Sequence, residues 1–117
     1  MNYVFLLYED EKRLEGFAES DWSELMNAYE TYTNKLTEAG ALVGGEPLKP
    51  SKDAKRISKR NEKAIVEDGP FSDVKEQLGG FYRIEAANLD EAIDWAAQCP
   101  CAETGRIEIR PVWVIDG

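Results

Sequence analysis

Two Arg/Glu pairs at alternate positions, Arg83 with Glu85 and Glu108 with Arg110, are the residues in this 117-residue chain whose types and spacing can do chemistry. On a strand, residues two apart share a face, so each pair sets a guanidinium beside a carboxylate. An arginine so placed can receive a carboxylate or phosphate through a two-point fork. A neighbouring Glu85 or Glu108 can accept a proton if burial raises its pKa. Asp68, Lys75 and Glu76 form a second set, in a run (residues 68–80) that packs Asp-Gly-Pro turn chemistry, the aromatic Phe71 and a Gly79-Gly80 pair into 13 positions. Loops carried on rigid scaffolds are common places for ligand contacts. The expected ligand-binding set is therefore Arg83, Arg110, Glu85, Asp68, Lys75 and Glu76, and the carboxylates that would act as a general base are Asp68 and Glu108. Each set also has a plainer reading. The arginines and glutamates can pair with one another across strands or across an interface. The run at 68–80 can be loop construction alone, with Phe71 as an apolar anchor and Ser72 capping a short helical turn.

Composition removes several classes of function. The chain has 14 Lys+Arg against 23 Asp+Glu, a net charge of -9, which opposes broad attraction to nucleic acid or to an anionic membrane. There is no His, and Cys99 and Cys101 are separated only by Pro100. That spacing suits free thiols rather than an unstrained disulfide, and two cysteines cannot make a four-ligand zinc site within one chain. No metal or organic cofactor is expected. No apolar run approaches the roughly 20 residues that cross a bilayer, and the N-terminal residues do not read as a leader, so a cytoplasmic protein is expected.

The elements that must position these groups fit one domain over residues 1–117. Tyr3-Val4-Phe5-Leu6-Leu7-Tyr8 is a continuous apolar run that reads as a central strand covered on both faces. Asp21 with Glu24 makes a capping box, and Trp22, Leu25, Met26, Tyr29, Tyr32 and Leu36 recur at helical spacing up to Gly40. Residues 41–46 return as a strand in which Gly44-Gly45 suggests a bulge. Residues 49–63 hold seven basic residues against Asp53 and Glu62, a net +5 that leaves -14 on the remainder. The Asn61-Glu62 pair inside this segment predicts a solvated basic β-hairpin over residues 54–67. Residues 80–86 alternate as a strand. Asn88 with Glu91 opens a second helix whose buried stripe is Leu89, Ala92, Ile93, Ala96 and Ala97, and Arg106-Ile107-Glu108-Ile109-Arg110 is the last strand. The order is β-α-β, hairpin insertion, β-α-β. This predicts an α+β, ferredoxin-like (split βαβ) antiparallel sheet with two helices on one face.

Strand parity then assigns the other face. If Tyr82, Ile84, Ile107 and Ile109 point at the helices, Phe81, Arg83, Glu85, Glu108 and Arg110 point away. An uncovered sheet face exposing Phe5 or Leu7, Phe81 and Trp113 calls for burial against a second copy. A homodimer packed sheet to sheet is expected, with a small anionic ligand in a pocket at that face.

Asp68-Gly69-Pro70-Phe71 followed by Lys75-Glu76-Gln77-Leu78-Gly79-Gly80 resembles the signature of the DGPF group of YCII-related proteins, D-G-P-F-A-E-T-K-E-x-x-G-G, with Ser72, Asp73 and Val74 in place of the usual Ala, Glu and Thr. The similarity extends to residues 3–8 with Glu9-Asp10, to Gly44-Gly45-Glu46-Pro47-Leu48 and to Glu108-Ile109-Arg110-Pro111. The resemblance implies a dimeric α+β barrel of ferredoxin-like subunits. YCII-like proteins that use a His-Asp pair, a dehydrochlorinase among them, set no precedent for a chain without His. The resemblance also implies a link to extracytoplasmic-function sigma factors. Three function classes follow: a homodimeric binder of a small anion, a cofactor-independent lyase or isomerase with a carboxylate base, and an interaction module in sigma-factor-linked signalling.

Overall fold

Alternation along the first strand decides which way the sheet faces. In the computed structural model, which describes residues 1–71 and 74–115, β1 (Asn2–Glu9) buries Tyr3, Phe5 and Leu7 on one side and leaves Asn2, Val4 and Leu6 half-covered on the other. The chain continues through α1 (Glu11–Glu15), α2 (Glu19–Glu38), β2 (Leu42–Pro47) and a 3-10 turn at Ser51–Asp53. Next come β3 (Lys55–Arg60), β4 (Lys63–Asp68), β5 (Gln77–Glu85), α3 (Leu89–Gln98), α4 (Cys101–Thr104) and β6 (Arg106–Pro111). The four-stranded sheet has the order β2-β5-β1-β6 with every neighbour antiparallel. A mixed α+β fold with this crossing order is consistent with a ferredoxin-like architecture. β3 and β4 pair with each other in a separate two-stranded sheet, Ile57 opposite Val66 and Arg60 opposite Lys63. Asn61 and Glu62 at its tip take φ of 50° and 65°, the left-handed pair that a two-residue turn between twisted strands requires.

One apolar core lies between the sheet and the helices. Phe5 and Ile84 are fully enclosed, and Tyr32 and Leu36 from α2 and Ala92 and Ala96 from α3 close over them. Tyr32 donates its hydroxyl to the Trp95 carbonyl at 2.7 Å, tying the two helices together, and its ring meets Tyr82 edge-on at 5.4 Å. Thr33 and Tyr82 share a hydroxyl hydrogen bond of 2.8 Å. Tyr82, Ile107 and Ile109 pack against this core, which leaves the alternate residues of β5 and β6 on the opposite face.

Several expectations need correction. Phe5 and Leu7 are on the helix side, 0% and 5% exposed, so they contribute nothing to the uncovered face; Val4 and Leu6 take that place. A run apolar at every position gives no parity signal, and parity is set here by registry, Phe5 against Tyr82 and Leu6 against Phe81. α2 begins at Glu19, two residues before the expected cap. Asp21 is inside the helix and reaches back to accept from the Ala18 N–H at 2.9 Å, doing the job expected of Glu24 from three residues earlier in the chain. Trp22 and Met26 are exposed rather than part of the buried stripe, as are Leu89 and Ile93 of α3. The buried residues of α2, Tyr32 and Leu36, are in its C-terminal half, and Trp22 meets Phe17 edge-on at 5.1 Å instead. The cap expected at Ser72 lies outside the described residues. Gln77, Leu78 and Gly79 belong to β5 rather than to a loop, and α1, capped by Asp10 accepting from Lys12 N–H at 3.0 Å, was not expected. No helix among the described residues is long and apolar enough to cross a membrane.

Candidate functional site

The uncovered face is laid out in rows across the strands. Registry places Arg83 of β5 beside Val4 of β1, and Val4 beside Arg110 of β6. The two arginines thus flank one small apolar side chain from two strands apart, with their Cα atoms about 10 Å from each other by ordinary strand spacing. The next row runs Glu46, Phe81, Leu6, Glu108, and the row beyond Arg83 holds Glu85 opposite Asn2. Gly44 stands opposite Arg83 on β2, with nothing within 4 Å of the place a Cβ would occupy, so the row is open on that side. Gly45 is different: a Cβ there would lie 2.6 Å from the Phe81 carbonyl oxygen, so β2 approaches β5 closely only because no side chain intervenes.

Arg110 has a carboxylate within reach, and Arg83 is joined to one through Asn2. Arg110 Nη1 lies 3.4 Å from Glu108 Oε2. Asn2, with its amide nitrogen facing Glu85, donates to Glu85 Oε2 at 2.6 Å and accepts from Arg83 Nη2 at 3.1 Å. The Met1 amino group adds a 2.5 Å bond to Glu85 Oε1. In a single chain these groups are exposed, Arg110 by 69% and Glu108 by 49%, and pairs so exposed contribute little to stability. Arg83, Glu85, Glu108 and Arg110 therefore do share one face, as parity predicts. Asn2, Val4, Leu6 and Gly44 complete that face, and the sequence reading missed the role of each. The usable signal was i, i+2 alternation from Asn2, which becomes readable only once β1 parity is known.

The run at residues 68–80 is built differently. Asp68 pairs with Lys55 across the two-stranded sheet at 2.5 Å. Gly69 donates to the Ala54 carbonyl at 2.8 Å, and a Cβ on it would fall 2.1 Å from the Ser51 carbonyl oxygen. Ser51 in turn donates both its backbone N–H and its hydroxyl to the Glu11 carboxylate, each at 2.8 Å. The base of the β3/β4 ribbon is thereby fastened to α1. Arg56 stacks 3.6 Å from the centre of the Phe71 ring, Gln77 donates to the carbonyls of Phe71 and Val74, and Glu76 pairs with Arg106 at 3.3 Å. Asp68 thus has its partner at the ribbon base, away from the arginine row, whereas Glu76 pairs with Arg106 at the start of β6, on the same face as Glu108 and Arg110, and Lys75 is exposed. A Gly69→Ala variant should lose about 1–3 kcal/mol of stability, the usual cost of forcing an atom into a filled site. Urea unfolding at neutral pH measures it.

A third cluster closes the far end of β1. Thr104 donates to Glu9 Oε1 at 2.7 Å, and Arg13 reaches both Thr104 Oγ1 at 3.1 Å and Glu9 Oε2 at 3.5 Å. That second oxygen is shut off from solvent and accepts no hydrogen bond among the described residues. Beside it, Cys101 donates to the Tyr8 carbonyl at 3.5 Å. Burial first, and then the charge of Glu9, pushes the Cys101 thiol up to about 12; burial pushes Cys99 up to about 11. Both cysteines are free. At neutral pH these thiols stay protonated and are poor nucleophiles. Their linkage to stability has a definite sign. Below pH 9.0, the ordinary thiol value, folded and unfolded chains hold the same protons. Between there and about pH 11–12 only the unfolded chain loses them, so stability falls as pH rises. Tyr29 and Tyr32, raised chiefly by burial, act in the same direction above their ordinary value of 10.0. Urea midpoints should drop across this alkaline window, and Cys99→Ala with Cys101→Ala should flatten the drop.

One concavity is on the helical side. An open groove of about 520 Å³ runs between α2 and the α3/α4 corner, lined by Glu24, Thr31, Lys35, Pro100 and Glu103 among others. It contains none of the arginines. Among the described residues no three His, Cys, Asp or Glu side chains converge to hold a metal ion.

Comparison with known proteins places the chain. The YCII-related domain family matches residues 1–116. A protein of Rhizobium meliloti (strain 1021), described as Uncharacterized protein R00369, is 37% identical over 114 residues, spanning 96% of this chain and 92% of the relative. With the ferredoxin-like strand order and a match along nearly its whole length, the chain belongs to the YCII-related domain family.

Proposed function

We propose that this protein, in line with its DGPF-type signature, works as a homodimer packed sheet to sheet as a dimeric α+β barrel, and that it binds a small anionic ligand between the two sheets. The observation that carries the reading is the Arg83, Val4, Arg110 row with the open Gly44 beside it, on the face no helix covers. Two guanidinium groups over one apolar side chain suit a carboxylate or phosphate. A second copy supplies what a lone chain lacks, enclosure, and the low-dielectric surroundings that strengthen charge-assisted bonds. Half-covered Val4, Leu6 and Phe81 give that contact its apolar part. The exposed tail residues Trp113, Val114 and Ile115 also call for cover. Free thiols at Cys99 and Cys101 suit a cytoplasmic setting.

If the bound molecule is also transformed, Glu108 is the better-placed base of the two candidates, because it shares the face and an ion pair with Arg110 while Asp68 is engaged at the ribbon base. A docking role toward a sigma-factor-linked protein would use other surfaces and leave the arginine row without a ligand. A thermal-shift screen of small carboxylates and phosphates separates these readings, since a ligand of the native state raises its apparent stability. Stabilisation by one anion class, lost on replacing Arg83 or Arg110, is the expected result. The absence of any stabilising anion would remove the binding proposal.

A further inference from the structure

The ribbon of β3 and β4 carries more uncovered apolar surface than two strands sustain alone. Ile57 and Val66 are paired directly across it, 70% and 57% exposed, and Ile65 on the reverse side is 43% exposed. An isolated two-stranded sheet is marginal in water unless something packs on one of its faces. The charge says what kind of cover fits. Residues 49–63 carry net +5 and the rest of the chain -14. At the tip Arg60 stands directly opposite Lys63, a like-charge pair that is unfavourable by itself and favourable against an acidic surface. The ribbon does not fold back onto its own acidic side, because its base is fastened through Glu11, Ser51 and Gly69 and its stripe remains exposed.

We infer that the β3/β4 ribbon is a clasp for a second copy of this chain, laying the Ile57/Val66 stripe on the partner and bringing the positive charge of the tip, Lys59 on that same face with Arg60 and Lys63 behind it, close to the partner's carboxylates. The inference rests on the dimer reading above. Each copy brings one basic ribbon and one strongly acidic body, so a two-fold pair makes the complementary contact twice. Six residues of strand span about 20 Å, more than the roughly 15 Å between the outer strands of a four-stranded sheet. The ribbon is therefore long enough to cross the partner.

Sedimentation equilibrium at low and high salt tests this on the full chain. Charge reversal at the tip, Lys59→Glu with Lys63→Glu, should raise the dimer dissociation constant about tenfold at low salt and flatten its salt dependence. Ile57→Ser with Val66→Ser should raise it by a similar factor at all salt concentrations. Circular dichroism checks folding, and the exposed tip substitutions carry the test if the serine variant unfolds. Dissociation constants within about twofold of the unmodified protein for the tip variant would overturn the clasp. If Leu6→Asp still separates the copies in that case, the sheet-face dimer stands and only the clasp falls; a monomeric unmodified protein overturns both. Binding of anionic vesicles or of an acidic polypeptide that is lost in the ribbon variants, with the dimer unaffected, would assign the ribbon to another partner and also overturn the clasp.

Discussion

Arg110→Ala should weaken binding of the stabilising anion by about 100-fold, with the fold and the dimer intact. A hydrogen bond to a charged group contributes about 1.5–3 kcal/mol, and a guanidinium that grips an anion at two points sits at the upper end of that range. The substitution also releases Glu108 from its 3.4 Å contact, leaving an unopposed carboxylate beside the anion. Arg110→Lys should recover only part of the loss, because an ammonium offers a point charge and not a planar fork. Isothermal titration with the anion found by thermal shift gives the number. Affinity unchanged by the alanine substitution would eliminate the arginine row as a site. Arg110 is on a strand face directed away from the core, so unfolding is not an expected complication.

Leu6→Asp should turn the dimer into a folded monomer. Leu6 stands in the row of Phe81 and Glu108 on the uncovered face, and a carboxylate buried there against Phe81 and directly opposite the like-charged Glu108 costs several kcal/mol, about 100-fold or more in the dissociation constant. Leu7→Asp is the informative contrast. One residue along, that side chain is 5% exposed among the core groups, and an aspartate there should unfold the chain. Size-exclusion chromatography with circular dichroism distinguishes a folded monomer from an unfolded chain. Equal behaviour of the two variants would show that the face assignment is wrong.

Much of this layout was legible in the sequence because β5 and β6 alternate: Phe81, Arg83 and Glu85 against Tyr82 and Ile84, and Glu108 and Arg110 against Ile107 and Ile109, admit one assignment of faces. β1 does not alternate. Its apolar residues serve the core on one side and the uncovered face on the other, so Val4 and Leu6 could not be told from Phe5 and Leu7 until registry was known. Helical periodicity identified α2 and α3 but overstated their burial. Trp22, Met26, Leu89 and Ile93 follow the apolar spacing yet are exposed, since period records which residues share a side and not whether anything lies beneath it. The run at residues 68–80 was legible as dense and turn-forming. What it does was not, because the contacts that explain it come from Ser51, Ala54 and Glu11, far off in sequence, and a half-buried glycine leaves no local sign of the backbone oxygen pressed against it.

Sedimentation equilibrium of the unmodified protein at micromolar concentration tests the central claim most directly, that two copies close over the arginine row. The account predicts twice the chain mass of 13.2 kDa, with the dimer tightening when the stabilising anion is added. A mass of one chain throughout, with or without anion, would contradict it.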